Sequence, residues 1–93
     1  MGKVACFAEY AVVPETGCIP ISDTISMDKA AMIGCCVPTG VGAVLYSAQV
    51  TPGSTVAVVG CGGVGLNVIM GAKLLNAGKI IAVDIRESQL EFA

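Results

Sequence analysis

The chain has 93 residues, of which 55% are hydrophobic and 13% charged, with a formal net charge of −2 and a mean hydropathy of +0.83. One small domain is the most that this length allows, and the charged share is about half the roughly 25% of an ordinary soluble domain. Such a chain is expected to be a piece of something larger or a subunit of a homo-oligomer, and its five basic residues, spread singly, make no stripe able to neutralise the phosphates of a nucleic acid.

The five cysteines, Cys6, Cys18, Cys35, Cys36 and Cys61, are odd in number, have no C-x-x-C spacing and follow no basic-then-apolar leader, which points to a reduced, cytoplasmic setting. The absence of histidine removes both the commonest general base and the commonest metal ligand.

In chain order, residues 6–13 (CFAEYAVV) are β-prone and predict a strand, closed by a turn at Pro14-Glu15-Thr16-Gly17 and followed by a short extended piece at 18–21. Ser26 is placed as the N-cap of a short helix that runs to Gly34, with Asp28 in its first turn. Pro38 suits the first turn of a second helix, carried by Val41, Val44, Leu45 and Ala48 and closed by Pro52-Gly53.

Thr55–Val59 is β-branched and apolar throughout, the pattern of a strand covered on both faces. A glycine cluster follows, then a helix over 64–77 with Gly78 at its end, a second apolar strand over 79–84, and a further helix beginning near Arg86. Between residues 56 and 72 only Asn67 is polar, a run just long enough to mimic a membrane span. Glycines at 60, 62, 63 and 65 weaken any such helix by about 1 kcal/mol each, and buried parallel strands give the same hydropathy. No membrane partner is expected.

Gly60-Cys61-Gly62-Gly63-Val64-Gly65 matches G-x-G-x-x-G between a strand and a helix. In that setting the first glycine permits a tight turn, the second lets backbone approach a diphosphate, and the last lets helix and strand pack closely. The N–H groups and positive dipole end of the helix can then hold the diphosphate without a lysine. Asp84, at the end of the second strand, stands near the spacing of about 20 residues expected of the acid that accepts bonds from the adenosine ribose. A carboxylate there favours NAD over NADP, because it repels a 2′-phosphate, although Arg86 two residues on leaves dual use open. The plain alternative is a glycine-rich turn with a strand-terminal Asp capping the next helix. A flavin or S-adenosylmethionine also remains open as the ligand.

The second unusual cluster is Gly34-Cys35-Cys36-Val37-Pro38-Thr39-Gly40, whose adjacent cysteines are, on chemistry alone, ordinary small core residues. With FAEYAVV, IGCCVPTGVGAVL, VTPGSTVAVVGCGGVGL and IIAVDI in that order, however, the whole chain resembles the zinc-dependent medium-chain alcohol dehydrogenases. That resemblance implies an α/β fold: a partial Rossmann βαβ unit over residues 37–93, preceded over 1–36 by the end of a GroES-like catalytic domain and its connecting helix. It further implies a catalytic-zinc ligand in Cys35, a packing role for Cys36, and a place for Thr39 beside the nicotinamide. Gly60, Gly62, Gly63 and Gly65 would form the diphosphate loop, Val64 would pack on the nicotinamide side, Asp84 would bind the ribose, and Cys61 would be a filler.

The implied cofactors are NAD and zinc, and the implied substrate is a small alcohol or aldehyde. The family's other zinc ligands, a cysteine and a histidine, have no counterpart here, and one thiolate cannot assemble a catalytic zinc that needs three protein ligands. The chain is therefore expected to be a middle fragment, inactive by itself and prone to self-association through uncovered apolar faces. A non-catalytic nucleotide-binding module is the alternative function.

Overall fold

β-branched residues over Thr55–Val59 make strand β1, and Lys79–Val83 makes strand β2. A computed structural model describes residues 5–93. In it the two strands pair in parallel, with Thr55 opposite Lys79 and Val59 opposite Val83. Parallel neighbours need a crossover, and here it is a helix over Gly63–Leu74. Two short helices precede the sheet, α1 (Met27–Ile33) and α2 (Cys36–Gly42), so the crossover is α3, and α4 (Glu87–Leu90) follows β2.

Strand residues alternate between two environments because successive side chains point to opposite faces. Val56, Val58, Ile80 and Ala82 pack with Cys61, Leu66, Val68 and Ile69 between sheet and α3. Ala57, Val59, Ile81 and Val83 lie on the opposite face and are exposed. Among the described residues, then, the sheet is covered on one face only, whereas the unbroken apolar run of β1 reads as covered on both.

The second layer is a helix pair. Past Gly42 the helical path of α2 widens into a π-turn over Ala43–Ser47, where the Ala48 N–H reaches back to the Ala43 carbonyl at 2.8 Å. It ends where Gln49 takes a left-handed φ of 49°. α2 lies close against α3: a Cβ on Gly40 would stand 2.5 Å from the Asn67 Cβ and 2.6 Å from the Val64 carbonyl oxygen. Side chains larger than hydrogen have no room there, and the buried Val44 fills the space beyond, against Gly71. Pro38 sits in the first turn of α2, where its missing N–H needs no partner, and the helix begins two residues ahead of it.

Several expectations are corrected. Residues 6–13 form no strand: among the described residues the sheet holds β1 and β2 alone and offers them no ladder to join. Phe7 and Tyr10 are fully or almost fully exposed instead. Pro14–Gly17 is a turn as expected, closed by the Gly17 N–H on the Pro14 carbonyl at 2.9 Å. α3 ends at Leu74 rather than residue 77, since Asn76 adopts φ 57°, the left-handed turn that Asn tolerates and that stops a helix. The 56–72 run divides into β1, a loop and α3, so it is no single helix. Met27–Ser47 is long and apolar enough, by length and composition, to cross a membrane, but a turn at Gly34 and Cys35 breaks it and α3 covers Gly40 and Val44.

Candidate functional site

The chain leaves β1 through Gly60, whose φ of 95° lies in the left-handed region that favours glycine. Its N–H donates to the Val83 carbonyl at 2.7 Å, continuing the strand pairing by one bond past the ladder. A Cβ on Gly65 would fall onto the Gly60 carbonyl, so the close approach of helix to strand requires glycine there. Around Gly62, by contrast, an added Cβ meets nothing within 4 Å, which leaves the turn open to a ligand. The first bond inside α3 runs from the Leu66 N–H to the Gly62 carbonyl at 2.8 Å. The N–H groups of Gly63, Val64 and Gly65 therefore precede the helical ladder and point out of the helix start, the arrangement that binds anions.

Asp84 stands immediately after β2, with its side chain only 8% exposed. Its Oδ1 accepts the Arg86 N–H at 2.9 Å and its Oδ2 accepts the Cys61 N–H at 2.7 Å. The Arg86 N–H, then the Cys61 N–H, and the Arg86 guanidinium 3.9 Å away hold the carboxyl below its ordinary range, against a smaller opposing effect of desolvation. Asp84 also lines, with Val59, Gly60, Val83 and Ile85, a cavity of about 250 Å³ at the carboxyl ends of both strands. Ligands of open parallel sheets sit at such ends. Apolar walls with one carboxylate suit an adenosine: a flat ring against the valines and isoleucine, and sugar hydroxyls on the acid.

The structure brings α2 to this same end. The Sγ of Cys36 lies 3.8 Å from where a Cβ on Gly63 would stand, and it takes a bond from the Asn67 Nδ2 at 3.8 Å while donating to the Met32 carbonyl at 3.5 Å. Cys35, its neighbour, is exposed at the start of α2, and Thr39, also exposed, donates its N–H to the Cys35 carbonyl at 3.1 Å. Val64 is partly exposed on the first turn of α3. Among the described residues no three His, Cys, Asp or Glu side chains gather as a metal centre, so the donors present do not fit a complete zinc site.

Two residues carry more than the motif reading gives them. Cys61, read as a filler, has no exposed surface: its side chain is core and its amide binds Asp84. Asn67 ties α3 to α2 through Cys36 and holds the Gly63 carbonyl at 2.7 Å. The signal for Asn67 was its standing as the one polar residue in the 56–72 run. Cys61 acts through its amide, which every residue but proline has, so residue type could not reveal it.

Residues 5–93 thus pair an open helix start with an acid at the end of the next strand. No family model matches the chain. It is 49% identical over 86 residues to an S-(hydroxymethyl)glutathione dehydrogenase of Saccharomyces cerevisiae, covering 92% of this chain and 22% of that protein. It is also 49% identical over 83 residues to an alcohol dehydrogenase 6 of Rattus norvegicus, covering 89% of this chain and 22% of that one. The chain matches a segment of the alcohol dehydrogenases. Among solved structures, the benzyl alcohol dehydrogenase of Acinetobacter calcoaceticus superposes with a TM-score of 0.71 at 38% identity, over 78% of this chain and 20% of that one. An alcohol dehydrogenase zinc-binding domain protein of Burkholderia ambifaria superposes with a TM-score of 0.61 at 43% identity, over 66% and 18%. The chain therefore spans about a fifth of the length of the curated relatives it matches.

Proposed function

We propose that this segment holds the coenzyme of a zinc-dependent, NAD-linked alcohol dehydrogenase, joining the end of a GroES-like domain (residues 1–36) to the first βαβ unit of a Rossmann domain (37–93). The observation that carries the reading is the shared end of the sheet, where Gly60, at the start of the open bend, and Asp84 line one cleft. In it the N–H groups of Gly63, Val64 and Gly65 donate to diphosphate oxygens, and Asp84 accepts from the adenosine ribose hydroxyls. Gly60 and Gly62 leave the backbone open to that approach. NAD, when bound, supplies the hydride acceptor for an alcohol or, reduced, the donor for an aldehyde. Val64, on the first turn of α3, and Thr39, in the middle of α2, border the nicotinamide. Cys35 contributes one thiolate toward zinc, a set that this segment does not complete. A cytoplasmic homo-oligomer is the setting that fits the composition.

Titrating the ¹⁵N-labelled chain with NAD and with NADP tests the reading. Amides of Gly62, Gly63 and Val64 are expected to shift with NAD and less with NADP, because Asp84 repels the 2′-phosphate. Shifts confined to residues outside 59–65 and 83–86 would defeat it. Given ethanol, NAD and zinc, the 93-residue chain alone is expected to show no turnover, since it lacks two of the three protein ligands that a catalytic zinc needs. Formation of NADH at enzymatic rates would overturn the division of labour proposed here.

A further inference from the structure

Asp84 does something beyond meeting a sugar. Besides the Cys61 thiol, which donates to the Val83 carbonyl at 3.8 Å, two backbone N–H groups of the glycine bend donate to the end of β2: the Gly60 N–H to the Val83 carbonyl at 2.7 Å and the Cys61 N–H to the Asp84 Oδ2 at 2.7 Å. The second is side-chain made, so it depends on residue type. Cys61 cannot turn its amide elsewhere at little cost, because its side chain is fully buried against Val58 and Ile69. The carboxylate is itself oriented, since its other oxygen takes the Arg86 N–H at 2.9 Å. Each carboxylate oxygen has a second acceptor site, so these bonds leave capacity for a ligand hydroxyl.

We infer that Asp84 is a positioning residue for the glycine bend, holding residues 60–62 through the Cys61 amide so that the diphosphate donors of α3 stand in place before coenzyme binds. The inference rests on the coenzyme reading above and adds to it a coupling: the group that meets the ribose also sets the shape of the diphosphate cradle. Binding of an anion that has no sugar must then depend on Asp84. Simple electrostatics makes the opposite forecast, because a carboxylate beside the cradle repels anions and its removal would tighten them.

The test uses inorganic pyrophosphate as the probe and the ¹⁵N-labelled 93-residue chain, with binding followed at the Gly62, Gly63 and Val64 amides. Asp84→Asn and Asp84→Ala both remove the charge, but only Asn keeps an oxygen to accept the Cys61 N–H. Asn is expected to bind pyrophosphate as well as the parent or better, and Ala about tenfold more weakly than Asn, the size of one lost hydrogen bond to a rigid amide. Equal affinities for the two variants would overturn the positioning role and leave the coenzyme reading standing. A parent that binds neither pyrophosphate nor NAD would overturn both. Where the Ala variant does not fold, the parent decides: the Cys61 amide proton is expected to move upfield as Asp84 is protonated in acid, and an amide indifferent to that titration would overturn the inference.

Discussion

Residues 5–35 and 36–93 are both rich in large apolar side chains, yet they use them differently. Phe7, Tyr10, Ile19 and Met27 are all at least 81% exposed, while Val44, Val58 and Ile69 are at most 8% exposed. Hydrophobicity alone therefore does not bury a residue; a surface of matching shape must come close enough to exclude water. In the second region glycines bring backbones together, Gly40 and Gly71 between the helices and Gly65 between helix and strand, and the side chains around them close the gaps. In the first region an open groove runs between residues 17–21 and α1, lined by Ile19, Ile21, Ala30 and Ile33.

The largest effect should come from removing that close approach. Gly65→Val places carbon atoms on the Gly60 carbonyl, and neither strand end nor helix start can yield without breaking the bend. A destabilisation of about 3 kcal/mol or more is expected, seen as loss of dispersed amide resonances from β1, α3 and β2. Gly17→Ala, in open space at φ below zero, is the matched control and should change stability by less than about 0.5 kcal/mol. Equal effects at the two sites would break the contrast between the regions. Next in size is Val44→Ala, which opens a gap between the π-turn and α3 and should cost about 2 kcal/mol in urea denaturation.

A smaller effect belongs to pH. Asp84 has a lowered pKa in the folded chain, so its contribution is fully present above its ordinary value of 3.8 and is lost as pH falls through the folded value. Acidification below about pH 4 should loosen the glycine bend, and Asp84→Asn should flatten that part of the stability profile. A profile unchanged by the substitution would show that the bend does not lean on this carboxylate.

How much was legible in the sequence follows from which interactions are local. Thr55–Val59, the glycine bend, α3 and β2 each announce themselves by residue type and by neighbours a few positions away, and the structure has all four. The Asp84 position was legible too, because strand length and crossover length fix where the acid falls. What the sequence did not reveal needs a distant partner. Residues 6–13 have strand composition, but a strand exists only where another offers its hydrogen bonds, and none among the described residues does so. The end of α3 moved because Asn76 could take the left-handed turn that Gly78 was expected to take. The Cys61 amide meeting Asp84, 23 residues on, is invisible to any pattern within one element.

The smallest effect sharpens the comparison most. Phe7→Ala and Tyr10→Ala delete two of the chain's four aromatic rings, a change that in a packed core costs about 3–5 kcal/mol for phenylalanine. Here both rings face solvent, and neither lies in the hydrophobic core that binds sheet to helix. The two substitutions together should therefore shift the urea midpoint of the helix-and-sheet region by no more than about 0.5 kcal/mol in stability, while reducing self-association measured by sedimentation, because exposed aromatic surface is what neighbouring molecules adhere to. A cost above 1 kcal/mol would mean that residues 6–13 dock onto the rest of the chain, and the division between a packed and an unpacked region would have to be redrawn around that contact.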